Sequence, residues 1–138
     1  MKKKICISAV SIILCLVLII GTTAFAGNGF SDLPSPANSE NLAVTQLESI
    51  EDSNGKSSAQ KAVDSDTNTV WKSSRVTDSF VITFKEEQTF NTIILREKGW
   101  NVKKFKLSYY VDTPGNEHWE RFYEQDAIND YHYCAFDS

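Results

Sequence analysis

The fold of this chain is decided by residues 79–111, SFVITFKEEQTFNTIILREKGWNVKKFKLSYYV. At the start of this stretch Phe80, Ile82 and Phe84 alternate with smaller or polar residues, which is the period-two pattern of a strand with one buried face. Residues 89–97 are apolar at both alternating sets of positions, so we expect both faces of that strand to be partly buried. A third alternating run closes the stretch. Successive strands joined by short polar segments predict an antiparallel sheet.

The same pattern continues outward from this stretch. Two more alternating runs follow at residues 119–123 and 132–136, and the cluster DTPGN at residues 112–116 supplies a turn between strands. A turn around residues 56–62 is the sole helical candidate. Short strands without intervening amphipathic helices are typical of sandwiches and barrels. We therefore expect an all-β chain, folded as an antiparallel sandwich or barrel.

The first 26 residues have the composition of a signal peptide. Three lysines at positions 2–4 precede an apolar run over residues 5–20, and Ala24-Phe25-Ala26 offers the small-x-small pattern that signal peptidase needs. The apolar run is also about long enough to span a bilayer, so an uncleaved membrane anchor is the alternative. Residues 27–40 are rich in Gly, Ser, Pro and Asn and predict a flexible linker. The ordered domain is expected over residues 41–138.

Charge and cysteine content exclude several classes of function. All 18 acidic residues but only 11 of the 14 basic residues follow residue 26, so the remaining chain carries a net charge of −7. This balance argues against nucleic acid and against anionic lipid as the main partner. Past the signal peptide Cys134 is the single cysteine, so it cannot form an internal disulfide. It is either a buried thiol or a thiol whose partner lies outside these residues.

One segment concentrates oxygen-bearing side chains. Residues 61–71, KAVDSDTNTVW, place Asp64, Asp66, Asn68 and Thr69 within six positions. Hard cations such as Ca²⁺ take several carboxylate and carbonyl oxygens from a tight loop. On composition alone, an Asx-rich turn with a solvated surface explains the segment equally well.

Residues 62–71, AVDSDTNTVW, resemble the A-[VI]-D-G-[DN]-x-x-T-x-W signature of the discoidin, or coagulation factor 5/8 type C, superfamily. Carbohydrate-binding module family 32 is the main bacterial branch of this superfamily, and the blocks TIILRE and YEQDAINDYHYCAF resemble its modules that are appended to bacterial α-L-fucosidases. The resemblance covers residues 41–138 and implies a jelly-roll β-sandwich of the galactose-binding-domain type. We expect the domain to be incomplete at its C-terminus, because the family's closing strand is not in this sequence. The further matching blocks are NLA at 41–43, QTFNTIILRE at 88–97, NVKKFKLSYY at 101–110 and YEQDAINDYHYCAF at 123–136.

The resemblance implies a structural calcium at this segment. Its ligands are expected to be the carbonyl of Lys61, the carboxylate of Asp64, the carbonyl of Asp66, and the carbonyl and hydroxyl of Thr69. Ser65 stands where the family has Gly, and a Ser at a positive φ is strained. Trp71 is expected in the core, with a sugar-stacking platform as the alternative.

The resemblance also implies a shallow sugar site at one end of the sandwich. Its residues are expected to be Arg96, Glu97, Trp100, Asn101 and Lys103. Arg96 would donate to two adjacent hydroxyls, since its guanidinium presents a fork of donors. The alternative for Arg96 is a surface ion pair with Glu97 or Glu120, and for Trp100 it is burial under a loop.

Together with the signal peptide, the resemblance implies a non-catalytic carbohydrate-binding module of a secreted bacterial protein, monomeric, with a glycan as partner. No nucleic acid and no membrane contact beyond the signal peptide are expected. A glycosidase needs a pair of carboxylates across a deep cleft, which a sandwich of this size does not provide. The alternatives are a protein- or membrane-surface adhesion module and a non-functional fragment of a glycosidase accessory domain.

Overall fold

The computed structural model of the chain describes residues 2–10, 13–21, 40–53, 57–73 and 75–135. These residues form two antiparallel β-sheets around a shared apolar core. The expectation of an antiparallel β-sandwich is therefore confirmed. The strands are β1 Lys2–Val10, β2 Ile13–Gly21, β3 Leu47–Asp52, β4 Trp71–Lys72, β5 Thr77–Gln88, β6 Phe90–Arg96, β7 Lys104–Val111, β8 His118–Gln125 and β9 Tyr131–Ala135.

The strands divide into two sheets. One has the order β3-β5-β1-β7-β8 and the other β4-β2-β6-β9, and each described pairing is antiparallel. The strands predicted from the sequence stretch at residues 79–111 are β5, β6 and β7, and the two later runs are β8 and β9. Along β6 both faces are largely buried, as the apolar pattern predicted.

The core lies between the sheets and is rich in aromatic rings. Phe84 on β5 meets Phe90 on β6 with ring centroids 6.2 Å apart, and Trp71 on β4 packs edge-on against Phe80 on β5 at 5.0 Å. Trp71 is buried, so its predicted place in the core is confirmed and the stacking platform is wrong. Cys134 is also buried and forms no disulfide, which confirms the interpretation as a buried thiol.

Among the described residues, two short helical segments lie between β2 and β4. The 3-10 helix Ser57–Ala62 lies where the sequence predicted a helical turn. A second segment, α1 Leu42–Thr45, was not predicted from sequence, and the side chain of Asn41 caps it by accepting a hydrogen bond from the backbone N–H of Ala43 at 3.1 Å. In the described ranges the chain has no helix with the length and apolar character to cross a bilayer.

The N-terminal segment differs from its expected placement outside the fold. In the unprocessed chain β1 lies in the five-stranded sheet and β2 in the four-stranded sheet, although the sequence assigned residues 1–26 to a signal peptide. The reason is that an unbroken apolar run suits a strand enclosed by neighbours as well as it suits a signal peptide. Cleavage after Ala26 is a covalent event and stays a prediction. Residues 27–39 of the predicted linker lie outside the described ranges.

Candidate functional site

The predicted calcium ligands converge on one hydroxyl group. Thr69 Oγ1 lies 2.6 Å from Asp64 Oδ2, 3.1 Å from the carbonyl oxygen of Asp66 and 3.4 Å from the carbonyl oxygen of Lys61. These residues belong to a segment that we call the Asp64 loop, residues 61–70, which links the 3-10 helix to β4. The structure thus brings together all four residues that the sequence singled out.

The Asp64 loop is organised by its own side chains. Asp64 Oδ1 accepts from the backbone N–H of Asp66 at 3.0 Å, and Asp66 Oδ1 accepts from the backbone N–H of Asn68 at 2.8 Å. These are Asx turns, in which a carboxylate replaces a backbone acceptor. One Asp64 oxygen therefore shapes the loop while the other, Oδ2, points toward Thr69.

The donor set fits a hard cation. The predicted set combines a carboxylate, three backbone carbonyls and a hydroxyl, which are the oxygen ligands that Ca²⁺ prefers. No group of three His, Cys, Asp or Glu side chains that could hold a metal occurs within the described ranges, so the candidate depends on backbone oxygens. Exposure of Asp64 and Asp66 leaves the loop open to solvent ions.

Ser65 adopts the strained conformation that the family resemblance implied. Its φ is +64°, in the left-handed region where a Cβ is unfavourable by about 1–2 kcal/mol. We expect Ser65→Gly to raise the free energy of unfolding by about 0.5–1 kcal/mol, because relief of this strain exceeds the added chain entropy of Gly. Urea titration measures this change in the free energy of unfolding. Thr67→Gly, at a position without a positive φ, is the matched control and should destabilise; equal effects of the two changes would contradict the strain argument.

Arg96 lies at the end of β6 and stacks on an aromatic ring. The carbon of its guanidinium group, Cζ, is 5.4 Å from the ring centroid of Tyr131, its cross-strand partner on β9. The described residues show no ion pair between Arg96 and either Glu97 or Glu120; Glu120 instead accepts from the Tyr109 hydroxyl at 2.8 Å. The surface ion pair proposed as an alternative for Arg96 is therefore not what the structure contains.

Glu97 is not at the surface where the sequence placed a sugar ligand. Its side chain is only 3% exposed, and Oε1 accepts from the backbone N–H groups of Asn101 and Val102, the latter at 2.7 Å. The expectation that it meets a ligand hydroxyl is wrong, because the turn after β6 leaves backbone donors inside the protein that need an acceptor. Glu97 holds the loop rather than the ligand.

Trp100 stands at the tip of that loop. It is 64% exposed, so the alternative of burial under a loop is wrong, and its indole N–H donates to Asp130 Oδ1 at 2.9 Å. Consecutive positive φ angles at Gly99 (+99°) and Trp100 (+53°) reverse the chain here. The φ of Gly99 strains any residue that carries a Cβ, so this position favours glycine.

The remaining predicted residues flank the tip. Asn101 is half-buried and its backbone is held by Glu97, whereas the Lys103 side chain is exposed. The Lys103 carbonyl accepts from the backbone N–H of Ala127 at 3.4 Å, and this contact joins residues 97–103 to the loop before β9. The structure therefore brings Asn101 and Lys103 to the same end of the sandwich as Arg96 and Trp100.

Sequence reasoning missed two residues, Asp130 and Tyr131. Asp130 orients Trp100, and Tyr131, 51% exposed, supports Arg96. The available signal was the turn at Asn129-Asp130 directly before an alternating strand, which places the first residue of β9 beside the last residue of β6. We call the contiguous surface of Arg96, Trp100, Asp130 and Tyr131 the apical rim.

A groove on the outer face of the five-stranded sheet is a second concave surface. It encloses about 600 Å³ and is lined by residues that include Lys4, Glu51, Asp112 and Trp119. Trp119 is 43% exposed and packs against Tyr110 with ring centroids 5.3 Å apart. The groove is separate from the apical rim and shares no residue with it.

The titratable core residues next to the rim, Cys134 and His132, do not form a catalytic pair of a nucleophile and a general base. Burial raises the pKa of the Cys134 thiol to about 12, so little of the reactive thiolate forms at neutral pH. Burial also lowers the pKa of His132, whose Nε2 lies 2.9 Å from the hydroxyl oxygen of Tyr123. These side chains pack between β6, β8 and β9 and serve the core.

Comparison with known proteins gives one family. A family model described as the F5/8 type C domain matches residues 43–136 of this chain. No curated protein sequence and no solved structure matches it. The matched region contains the Asp64 loop and the whole apical rim, and it begins after β1 and β2.

Proposed function

Because the chain belongs to the F5/8 type C (discoidin) family, we propose that it is a non-catalytic module that binds a glycan at the apical rim. Domains of this family commonly bind carbohydrates or other surface ligands, and they are generally without catalytic activity. The observation that supports the proposal most directly is Arg96, which stacks on Tyr131 while forming no ion pair among the described residues.

The chemistry of the rim suits a sugar ring. A guanidinium group donates two parallel hydrogen bonds, and their spacing matches adjacent hydroxyls. Stacking on Tyr131 keeps this group extended, so less side-chain freedom is lost when a ligand binds. The exposed indole of Trp100 offers a flat apolar face for the C–H side of a pyranose, and Asp130 fixes its orientation.

We expect Arg96→Ala to weaken glycan binding at least tenfold without a change in the melting temperature. Each hydrogen bond to a charged group contributes about 1.5–3 kcal/mol, and the exposed stack on Tyr131 contributes little to folding. An array of galactosides, fucosides and N-acetylated sugars identifies a sugar that the wild-type protein binds. Calorimetry with that sugar then measures the loss of affinity in Arg96→Ala. Arg121→Ala, an equal truncation at an exposed ion pair with Glu124, is the matched control.

A pair of tryptophan variants locates the site. Trp100→Ala should weaken binding, whereas Trp119→Ala, which alters only the sheet groove, should leave it unchanged. The reverse result would move the site to the groove, and silence of the wild-type protein across all these sugars would contradict glycan binding.

A membrane- or protein-surface adhesion module is the second candidate. The observation that favours it is the exposed apolar tip at Trp100, with the exposed lysines Lys98 and Lys103 on either side. Co-sedimentation with phosphatidylserine vesicles separates the two candidates. Vesicle binding that persists in Arg96→Ala and disappears in Trp100→Ala would favour adhesion.

Calcium is proposed as the structural ion of the Asp64 loop, held by Lys61, Asp64, Asp66 and Thr69. When bound, it would neutralise the loop's oxygens and fix the chain that leads to Trp71 in the core. We expect Ca²⁺ to raise the melting temperature by several degrees relative to EDTA, because an ion that binds only the folded state stabilises it. Asp64→Ala should abolish the shift. Asp66→Ala should keep most of it, since the carbonyl of Asp66 survives and only the turn to Asn68 is lost; equal losses in both variants would contradict this ligand set.

We propose that the module acts outside the cell as a monomer and that residues 1–26 direct its export. Discoidin domains are typically extracellular, which supports this location. The excess of acidic residues after residue 26 supports a neutral glycan partner rather than nucleic acid.

A further inference from the structure

Strand β1 is the middle strand of its sheet. It pairs with β5 on one side and β7 on the other, so both rows of its backbone hydrogen-bonding groups are used. Without it, the sheet separates into a β3-β5 pair and a β7-β8 pair with unpaired edges facing one another. Unpaired edges of this kind attract further strands.

The register of β1 places its apolar side chains in the core. Ile5 lies opposite Ile82 and Tyr109, and both the Ile5 and Ile82 side chains are fully buried. Ile7 lies opposite Phe80 and Leu107 and is buried with them. The alternate residues belong to the other face: Cys6 is half-buried, and Lys4 Nζ lies 5.3 Å from the ring centroid of Tyr110.

Strand β2 has the same role in the second sheet. It lies between β4 and β6, with Leu14 opposite Trp71 and Cys15 opposite Arg96. In the described residues β4 has no other strand as a neighbour, so β2 is what joins Trp71 to this sheet. Residues 2–10 and 13–21 therefore supply an inner strand to each of the two sheets.

The family match makes this arrangement informative. The F5/8 type C model covers residues 43–136, yet the sheets built from those residues are each joined through a strand from residues 2–21. We propose that the discoidin body, residues 40–135, is a strand acceptor and that its occupant is the chain's own N-terminal segment, residues 2–21. A cut after Ala26 then divides both sheets and opens the apolar core.

This inference goes beyond the binding function: it assigns the closed, unprocessed chain as the form that presents the apical rim. The apolar composition that directs export also suits a strand buried between two neighbours. A chain that is cut after Ala26 loses the segment, so the segment cannot be both a removed signal peptide and a strand of the same molecule. Processing at Ala26 is thus coupled to the closure of the sandwich: the unprocessed chain is closed, and the processed chain 27–138 has two vacant strand positions.

A disulfide trap tests the register directly in the full chain. Facing Cα atoms of antiparallel strands lie about 4.5–5.5 Å apart, within the range that a disulfide spans. In a Cys15→Ser background, mild oxidation should link Cys6 to a new thiol in Val81→Cys or Ser108→Cys, its partners on β5 and β7. Thr83→Cys, two residues out of register, is the matched control and should link poorly. Peptide mass spectrometry measures the yields; equal yields at all three positions, or no link, would overturn the proposal.

Alternation along β1 gives a second test. Ile7→Ser should lower the melting temperature of the full chain by more than 10 °C or abolish cooperative melting, whereas Cys6→Ser should shift it by only a few degrees. If β1 lay outside the fold, neither change would alter the melting temperature. The processed chain 27–138 should melt without a cooperative transition; a cooperative melt matching that of the full chain would overturn the proposal and leave the signal-peptide role alone. Neither test uses a sugar, so its outcome is independent of glycan binding.

Discussion

Trp71→Ala is expected to lower the free energy of unfolding by about 3–5 kcal/mol, the usual cost of removing a buried aromatic side chain. The indole packs edge-on against Phe80 between the two sheets, so its loss leaves a cavity that the strands cannot fill without moving. The same change detaches the Asp64 loop from its anchor in the core. Chemical denaturation monitored by fluorescence and circular dichroism measures the loss.

Two variants keep this prediction testable if Trp71→Ala does not fold. Trp119→Ala removes the same side chain from an exposed position and should alter stability by less than about 1 kcal/mol. Trp71→Phe retains an aromatic ring and should cost less than Trp71→Ala, because Trp71 Nε1 is buried without a hydrogen-bond partner in the described residues. Equal losses at positions 71 and 119 would show that Trp71 is not a core residue.

Glu97→Ala is expected to cost about 2–4 kcal/mol of unfolding free energy and to abolish ligand binding at the apical rim. Its carboxylate accepts two backbone N–H groups, and hydrogen bonds to a charged group contribute about 1.5–3 kcal/mol each. Without it, the Asn101 and Val102 donors stay buried and unpaired unless the loop opens, and an open loop no longer presents Trp100.

Glu97→Gln is the matched control for this effect. The amide oxygen of Gln can replace Oε1 as acceptor, so we expect the loop and the ligand affinity to be largely retained. Backbone hydrogen exchange at Asn101 and Val102 reports the loop directly. Unchanged protection of these amides in Glu97→Ala would contradict the loop-holding role, and loss of binding in Glu97→Gln with the amides still protected would point to ligand contact instead.

The apical rim shows how far sequence reasoning reaches. Arg96 and Trp100 were identified from the family resemblance, which places an Arg at the end of this strand and an aromatic residue in the loop that follows it. Asp130 and Tyr131 were missed because they lie about 30 residues further along the chain, and only the pairing of β6 with β9 brings them to Arg96. Glu97 was misassigned for a related reason: sequence gives its charge but not the loop amides that enclose it.

The sequence by itself determined the strands β5 to β9 and the turn-forming composition of the Asp64 loop, and its family resemblance predicted the core position of Trp71. The strands and the turn depend on spacing within a few residues: alternation decides which side chains share a face, and closely spaced oxygens decide a turn. Tertiary structure alone decided where residues 2–10 and 13–21 lie and which residues complete the rim. A signal peptide and a central strand have the same apolar composition, so composition cannot separate them. Strands distant in sequence decide between them, because their unpaired edges and buried side chains can pair and pack with the apolar run.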